Sequence, residues 1–169
     1  MKTFFLSLTV AAALMFSGCG YQFGSLMHPQ ISTVAVAPVV NETTMYNASA
    51  VLRQKLSELF TTDGSLKLKS IGNADCIVYA RIMKVSYKES SGHISDDDEF
   101  LPNEWTVSAD VEFSVIIPGR AKPLIGPRVV TGTAQFVSDA DLENARLNGM
   151  RQALFDAARS VVSNLTEAW

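Results

Sequence analysis

From Trp105 to Ile117 the chain alternates with a period of two: Trp105, Val107, Ala109, Val111, Phe113, Val115 and Ile117 are apolar, and Thr106, Ser108, Asp110, Glu112 and Ser114 lie between them. Successive side chains of a strand point to opposite faces, so this pattern specifies a strand with one buried and one wet face. A sheet built on it has one covered side. Two other stretches carry the helical period that can cover it. Over residues 46–61, Ala48, Val51, Leu52, Leu56, Leu59 and Phe60 share one face. Over residues 141–168, Leu147, Met150, Leu154, Ala157, Ala158, Val161, Val162 and Leu165 form a second apolar stripe. Arg146, Arg151, Asp156 and Arg159 fall on the opposite side of that helix.

The remaining segments fit around these elements. Residues 31–40 (ISTVAVAPVV) are Val-rich on both faces and read as a central strand, with Pro38 at its end where a lost ladder bond is tolerable. Asn41 to Thr44 form a turn, and Asp63-Gly64 ends the first helix. Residues 66–70 read as a short strand and residues 76–89 as a long one. Residues 90–103 read as a polar loop holding the acidic run Asp96, Asp97, Asp98 and Glu99, and residues 118–127 as a second, turn-rich loop. Residues 128–137 give the last strand, with Val130, Ala134 and Phe136 on one face, and Asp139 or Asp141 caps the closing helix. The order β-α-β-β-β-β-α predicts an α+β, two-layer α/β sandwich: a mostly antiparallel sheet of 4–5 strands, both helices on one face. The other face is a candidate docking surface.

The start of the chain carries a separate signal. Lys2 is followed by FFLSLTVAAALMF, an apolar run shorter than the roughly 20 residues that span a bilayer. It ends in Phe16-Ser17-Gly18-Cys19, small residues before a cysteine whose thiol can take a diacylglycerol. A lipoprotein signal peptidase usually meets Leu where Phe16 stands. Residues 1–18 therefore read as a lipoprotein signal peptide, Cys19 as the lipidation site, residues 19–30 as a lipidated tether and residues 31–169 as one α/β domain. Processing leaves 169 − 18 = 151 residues, with 13 basic and 17 acidic side chains. That balance argues against sequence-independent nucleic-acid binding, which needs a basic surface. With Cys19 committed to lipid, Cys76 stands alone in the apolar run CIVYA and reads as a small buried hydrophobe.

Catalytic signatures are missing: the chain holds no nucleophile elbow, P-loop, dinucleotide fingerprint, paired-histidine motif or CxxC. The expectation is a protein that is not an enzyme and needs neither metal nor cofactor. His28 lies in the tether; His93 with Asp96 and Asp98 reads as a solvated loop, since no second His or Cys fixes a metal geometry. Cations gather once, where Arg120, Lys122 and Arg128 frame the Pro/Gly-rich loop. Such a group suits phosphates like those of a lipid A headgroup, or is ordinary loop charge.

Several short stretches, in order, resemble one family. Cys19-Gly20-Tyr21-Gln22-Phe23, then Val34-Ala35-Val36-Ala37-Pro38 leading into Asn41-Glu42-Thr43, then Ala74-Asp75 opening a long strand, and the close Leu165-Thr166-Glu167-Ala168-Trp169 are similar to the LptE-type LPS-assembly lipoproteins. The resemblance runs along essentially the whole chain after residue 18. It implies an outer-membrane, lipid-anchored protein that plugs the LPS-translocating β-barrel LptD, helps it fold, and binds lipopolysaccharide during delivery to the cell surface. The family's LPS-contacting basic residues match no motif here, so the assignment of Arg120, Lys122 and Arg128 is independent of it. The strand, Asn-x-Thr, helix opening also resembles periplasmic adaptors of the TolB-N/LpoB kind, which activate cell-wall synthesis.

Overall fold

The computed structural model describes residue 28 and residues 30–94, 100–137 and 141–167. The signal segment, Cys19, the acidic run 96–99, Asp139, Ala168 and Trp169 lie outside the described residues. The elements are β1 (Thr33–Val36), β2 (Val40–Asn41), α1 (Ala48–Asp63), β3 (Lys67–Leu68), a 3-10 turn (Ile71–Asn73), β4 (Cys76–Ile94), β5 (Phe100–Ile116), β6 (Ile125–Val137) and α2 (Leu142–Thr166). The strands form one sheet in the order β3-β1-β4-β5-β6, with β2 also paired to β4. Because α1 returns the chain across the sheet, β1 runs parallel to both β3 and β4. The long ladders β4–β5 and β5–β6 are antiparallel. The architecture is the two-layer sandwich expected, on a mixed sheet.

Three boundaries differ from the sequence pattern. The strand expected over 31–40 splits into β1 and β2. Ala37 N–H still donates to Val78 O at 2.9 Å, but Pro38 has no N–H to continue the ladder. The polar loop expected over 90–103 is largely a continuation of the β4–β5 hairpin, paired as far as Ile94 opposite Phe100. Ladder hydrogen bonds are made by the backbone and do not depend on side-chain polarity, so composition disguised the pairing. The last strand begins at Ile125 rather than at 128, so Arg128 lies three residues inside β6 rather than at its first position.

The helix ends follow local chemistry. Asn47 takes a left-handed conformation (φ 64°) before α1, and Gly64 (φ 72°) closes it, its N–H reaching Phe60 O at 3.2 Å. Asp141 caps α2 by accepting from Asn144 N–H at 3.1 Å, with Glu143 in the first turn where the helix dipole favours a carboxylate.

The core lies between the helices and one face of the sheet. Val107, Ala109, Val111, Phe113 and Val115 of β5 are each at most 1% exposed, against Leu52, Leu56 and Phe60 of α1 and Leu154, Ala157, Ala158 and Val161 of α2. Cys76 is buried among them, where desolvation, and behind it the Asp75 charge, pushes its thiol up to about 12. Two glycines set how closely α2 approaches. A Cβ on Gly132 of β6 would stand 2.1 Å from Ala153 O and 2.3 Å from Ala157 N; one on Gly149 of α2 would stand 2.6 Å from the Phe136 ring. Helix backbone and strand backbone touch directly at Gly132.

Candidate functional site

The sheet face away from the helices is neither bare nor uniformly wet. Its rungs run across β4, β5 and β6 and are closed by side-chain hydrogen bonds. Ser86 and Ser108 hydroxyls lie 2.8 Å apart, and Thr131 Oγ1 donates to Asp110 Oδ1 at 2.7 Å. Arg81 spans two carboxylates, Glu112 at 2.7 Å and Glu42 at 3.0 Å, and the Glu112 bond before all else raises its pKa further. All three side chains are 29–46% exposed, so the triad fixes geometry more than it stabilises. Beside it Tyr79 (44% exposed), Val40 and Val129 (both 56%) stand out of the face, and a depression of about 120 Å³ lies among Pro38, Val40, Tyr79, Arg81, Glu112 and Ser114. Toward β1, Ala35, Ala37 and Ile77 make a small separate apolar cluster with Ala74 and Ile116. The expected docking face is thus a polar, hydroxyl-lined platform with an apolar margin.

Two motifs that carry the family resemblance act locally on the β1 and β2 side of the sheet. Asp75 Oδ2 accepts from Ser32 N–H, Ser32 Oγ and Thr33 N–H, all at 2.9 Å, and Asp75 N–H donates to Thr33 Oγ1 at 2.8 Å. The backbone N–H of Ser32, then the Thr33 and Ser32 side-chain bonds, hold its carboxyl down at about 2. Asn41 Oδ1 accepts from Thr43 N–H at 3.0 Å and Thr43 Oγ1 at 2.7 Å, while its Nδ2 donates to Met45 O at 2.9 Å. Asp75 locks β1 to the start of β4; Asn41 folds the turn that launches α1.

The cation cluster is rearranged. Arg120 and Lys122 are exposed on the turn between β5 and β6, which is closed by Arg120 N–H to Ile117 O (3.1 Å) and Leu124 N–H to Val115 O (2.8 Å), with Gly119 at φ 82°. Arg128 is opposite Phe113 on β6, and its guanidinium lies 3.5 Å from Asn164 Oδ1 of α2. It therefore faces the helical layer, leaving Arg120 and Lys122 as the loop's own cations. His93 lies in β4. No group of three or more His, Cys, Asp or Glu is placed to hold a metal among the described residues.

Arg146 departs from the polar side of α2 assigned to it by spacing. Its guanidinium lies 5.8 Å from the Tyr87 ring and 5.6 Å from the Trp105 ring, and Tyr87 OH donates to Arg146 O at 3.3 Å. Tyr87 meets Phe136 edge-on at 6.2 Å. Burial pushes the Tyr87 hydroxyl up, against the opposing pull of Arg146. This box fastens the base of the β4–β5 hairpin to the start of α2. A cation-bearing residue followed by Leu147 at the stripe edge gave no sign of it, because the aromatic partners come from two distant strands. On the outer helical side, Lys55, Asn148, Arg151, Gln152 and Phe155 line a shallow groove of about 440 Å³. No helix among the described residues is long and apolar enough to cross a membrane.

Neither a protein-family model nor a curated protein matches this chain. Solved structures do resemble it. Protein XCC0632 of Xanthomonas campestris superposes with a TM-score of 0.56 at 12% identity, covering 83% of this chain and 87% of that one. The PelC dodecamer of Paraburkholderia phytofirmans gives 0.52 at 17% identity over 81% and 90%. A minor lipoprotein of Acinetobacter baumannii gives 0.50 at 12% identity over 82% and 99%. At these identities the likeness is one of fold: this chain has a fold that a bacterial lipoprotein also uses.

Proposed function

We propose that this protein is an outer-membrane lipoprotein, anchored through Cys19, that partners the LPS-translocating β-barrel LptD and takes part in LPS delivery to the cell surface. The observation that carries the reading is that each of two resemblance motifs holds its own part of the fold: Asp75 ties the start of β4 to β1 through Ser32 and Thr33, and Asn41 folds the turn before α1 through Thr43 and Met45. The lipoprotein-like fold supports the anchored part of the reading.

The assignment carries no catalytic step. Arg120 and Lys122, exposed and without a carboxylate partner among the described residues, are the groups offered to LPS phosphates; Arg128, turned toward Asn164, is a weaker candidate. The test is affinity purification of the tagged, lipidated chain from crosslinked membranes. Recovery of the LPS-export barrel is the expected result. Recovery of a cell-wall synthase with no barrel would decide for the adaptor reading.

A further inference from the structure

A β-sheet leaves unpaired N–H and C=O groups wherever a strand lacks a neighbour, and such an edge is a template for another strand. The longer edges of this sheet among the described residues, and the short one on β3, are treated differently. On β3 the edge is two residues long. On β6, α2 lies against Gly132 and Asp156 Oδ2 accepts the Thr133 N–H at 3.1 Å, so the ladder direction is partly closed from within. On β4 the outer side is paired with β1 at Cys76, Ile77 and Val78 and with β2 at Arg81 and Ile82, ending where Glu42 N–H donates to Ile82 O at 3.0 Å. Residues 84–94 pair with β5 on one side and with no strand on the other among the described residues. Eleven residues at roughly 3.4 Å each make an open edge about 35 Å long.

The charges along that edge state what it accepts. Lys84 and Lys88 are both exposed, lie on the same sheet face two rungs apart, and make no ion pair among the described residues. The carboxylate opposite Lys84, Asp110, accepts from Thr131 instead. Edge lysines repel a like strand. Two copies paired about Ser86 would set Lys84 of one against Lys88 of the other, so a second copy is disfavoured. An incoming strand with carboxylates four residues apart would meet both ammonium groups. We infer that the β4 edge over residues 84–94 receives an extended acidic segment of the barrel partner as an added strand. The inference rests on the barrel reading above. The Arg146 box beneath Tyr87 and Trp105 keeps the base of this edge in place for it.

The experiment uses the full lipidated chain co-expressed with the LPS-export barrel, with a photocrosslinking amino acid at Ser86 or, as the control, at Gln135 on β6. A crosslink to the barrel from position 86 and none from position 135 is expected. In the same system Lys84→Glu with Lys88→Glu should weaken the complex at least ten-fold at low salt, while Lys84→Arg with Lys88→Arg retains it. An unchanged complex for the double Glu variant, or a crosslink from position 86 to a second copy, overturns the inference and leaves the barrel reading standing. Failure of the unmodified chain to recover the barrel overturns both.

Discussion

Replacing Gly132 by alanine tests the claim that α2 rests backbone-to-backbone on β6. In an isolated strand the change is favourable, because glycine costs roughly 0.5–1 kcal/mol relative to alanine in regular structure. Here the new Cβ would stand 2.1 Å from Ala153 O, and ordinary contact begins at 3.4 Å, so the helix must retreat by 1.3 Å. Neither contact atom is the end of a flexible side chain: both Ala153 O and Ala157 N are helix backbone. A gap of about 0.5–1 Å already forfeits a quarter to a half of each dispersion contact it opens. The retreat would loosen the packing of Ala153, Leu154, Ala157, Ala158 and Val161, all fully buried, and stretch the Asp156 to Thr133 bond. Overpacking of this kind costs about 1–3 kcal/mol and more where backbone must move. We expect a net loss of about 3 kcal/mol after the propensity gain. The assay is urea unfolding of the non-lipidated chain followed by circular dichroism, where a slope of about 1–3 kcal/mol per molar gives a midpoint lowered by about 1–3 M. Gly126→Ala is the control: nothing lies within 4 Å of its Cβ, and the midpoint should hold or rise slightly. A Gly132→Ala chain as stable as the control would refute the close approach.

Further expectations concern single groups. Asp75→Ala should destabilise by about 1 kcal/mol, since an exposed carboxylate accepting three hydrogen bonds is lost and water screens part of its effect. Its pKa is depressed in the fold, so that stability is fully present above the ordinary carboxylate value near 4 and lost as pH falls toward about 2; the gap between the urea midpoints of the two chains should close over that interval. In a Cys19→Ala chain, Cys76, fully buried with its thiol raised to about 12, should react with a thiol reagent only in denaturant; stoichiometric labelling of that folded chain at pH 8 would contradict its placement. Arg120→Glu with Lys122→Glu should weaken LPS binding of the non-lipidated domain, most at low salt, and equal binding there would reduce the pair to surface charge. Cys19→Ala should abolish palmitate labelling and leave the precursor unprocessed, and labelling that persists would remove the anchor from the reading.

Periodicity by itself determined the layers. The alternation along β5 assigned Phe113 to the core and Asp110 and Glu112 to the other face, and the stripes of α1 and α2 supplied its cover; each signal sits within one element, where neighbours in sequence are neighbours in space. The capping of α2 by Asp141 and the burial of Cys76 were legible for the same reason. What joins distant segments was decided by tertiary structure alone. Whether β1 runs parallel to β4, whether Arg128 faces a loop or a helix, and whether Arg146 meets water or two aromatic rings depend on which strand lies beside which. Gly132 shows the boundary most clearly. A glycine inside a strand pattern signals a close approach of some backbone, but only the fold brings Ala153 and Ala157 to it. The pairing of residues 91–94 with 100–104 was not legible because backbone ladders form between polar residues as readily as between apolar ones, and no period-two pattern marks that stretch. The open outer side of β4 beyond Ile82 follows from β2 ending after two residues, and a strand's neighbours are a property of the assembled sheet, not of its own sequence.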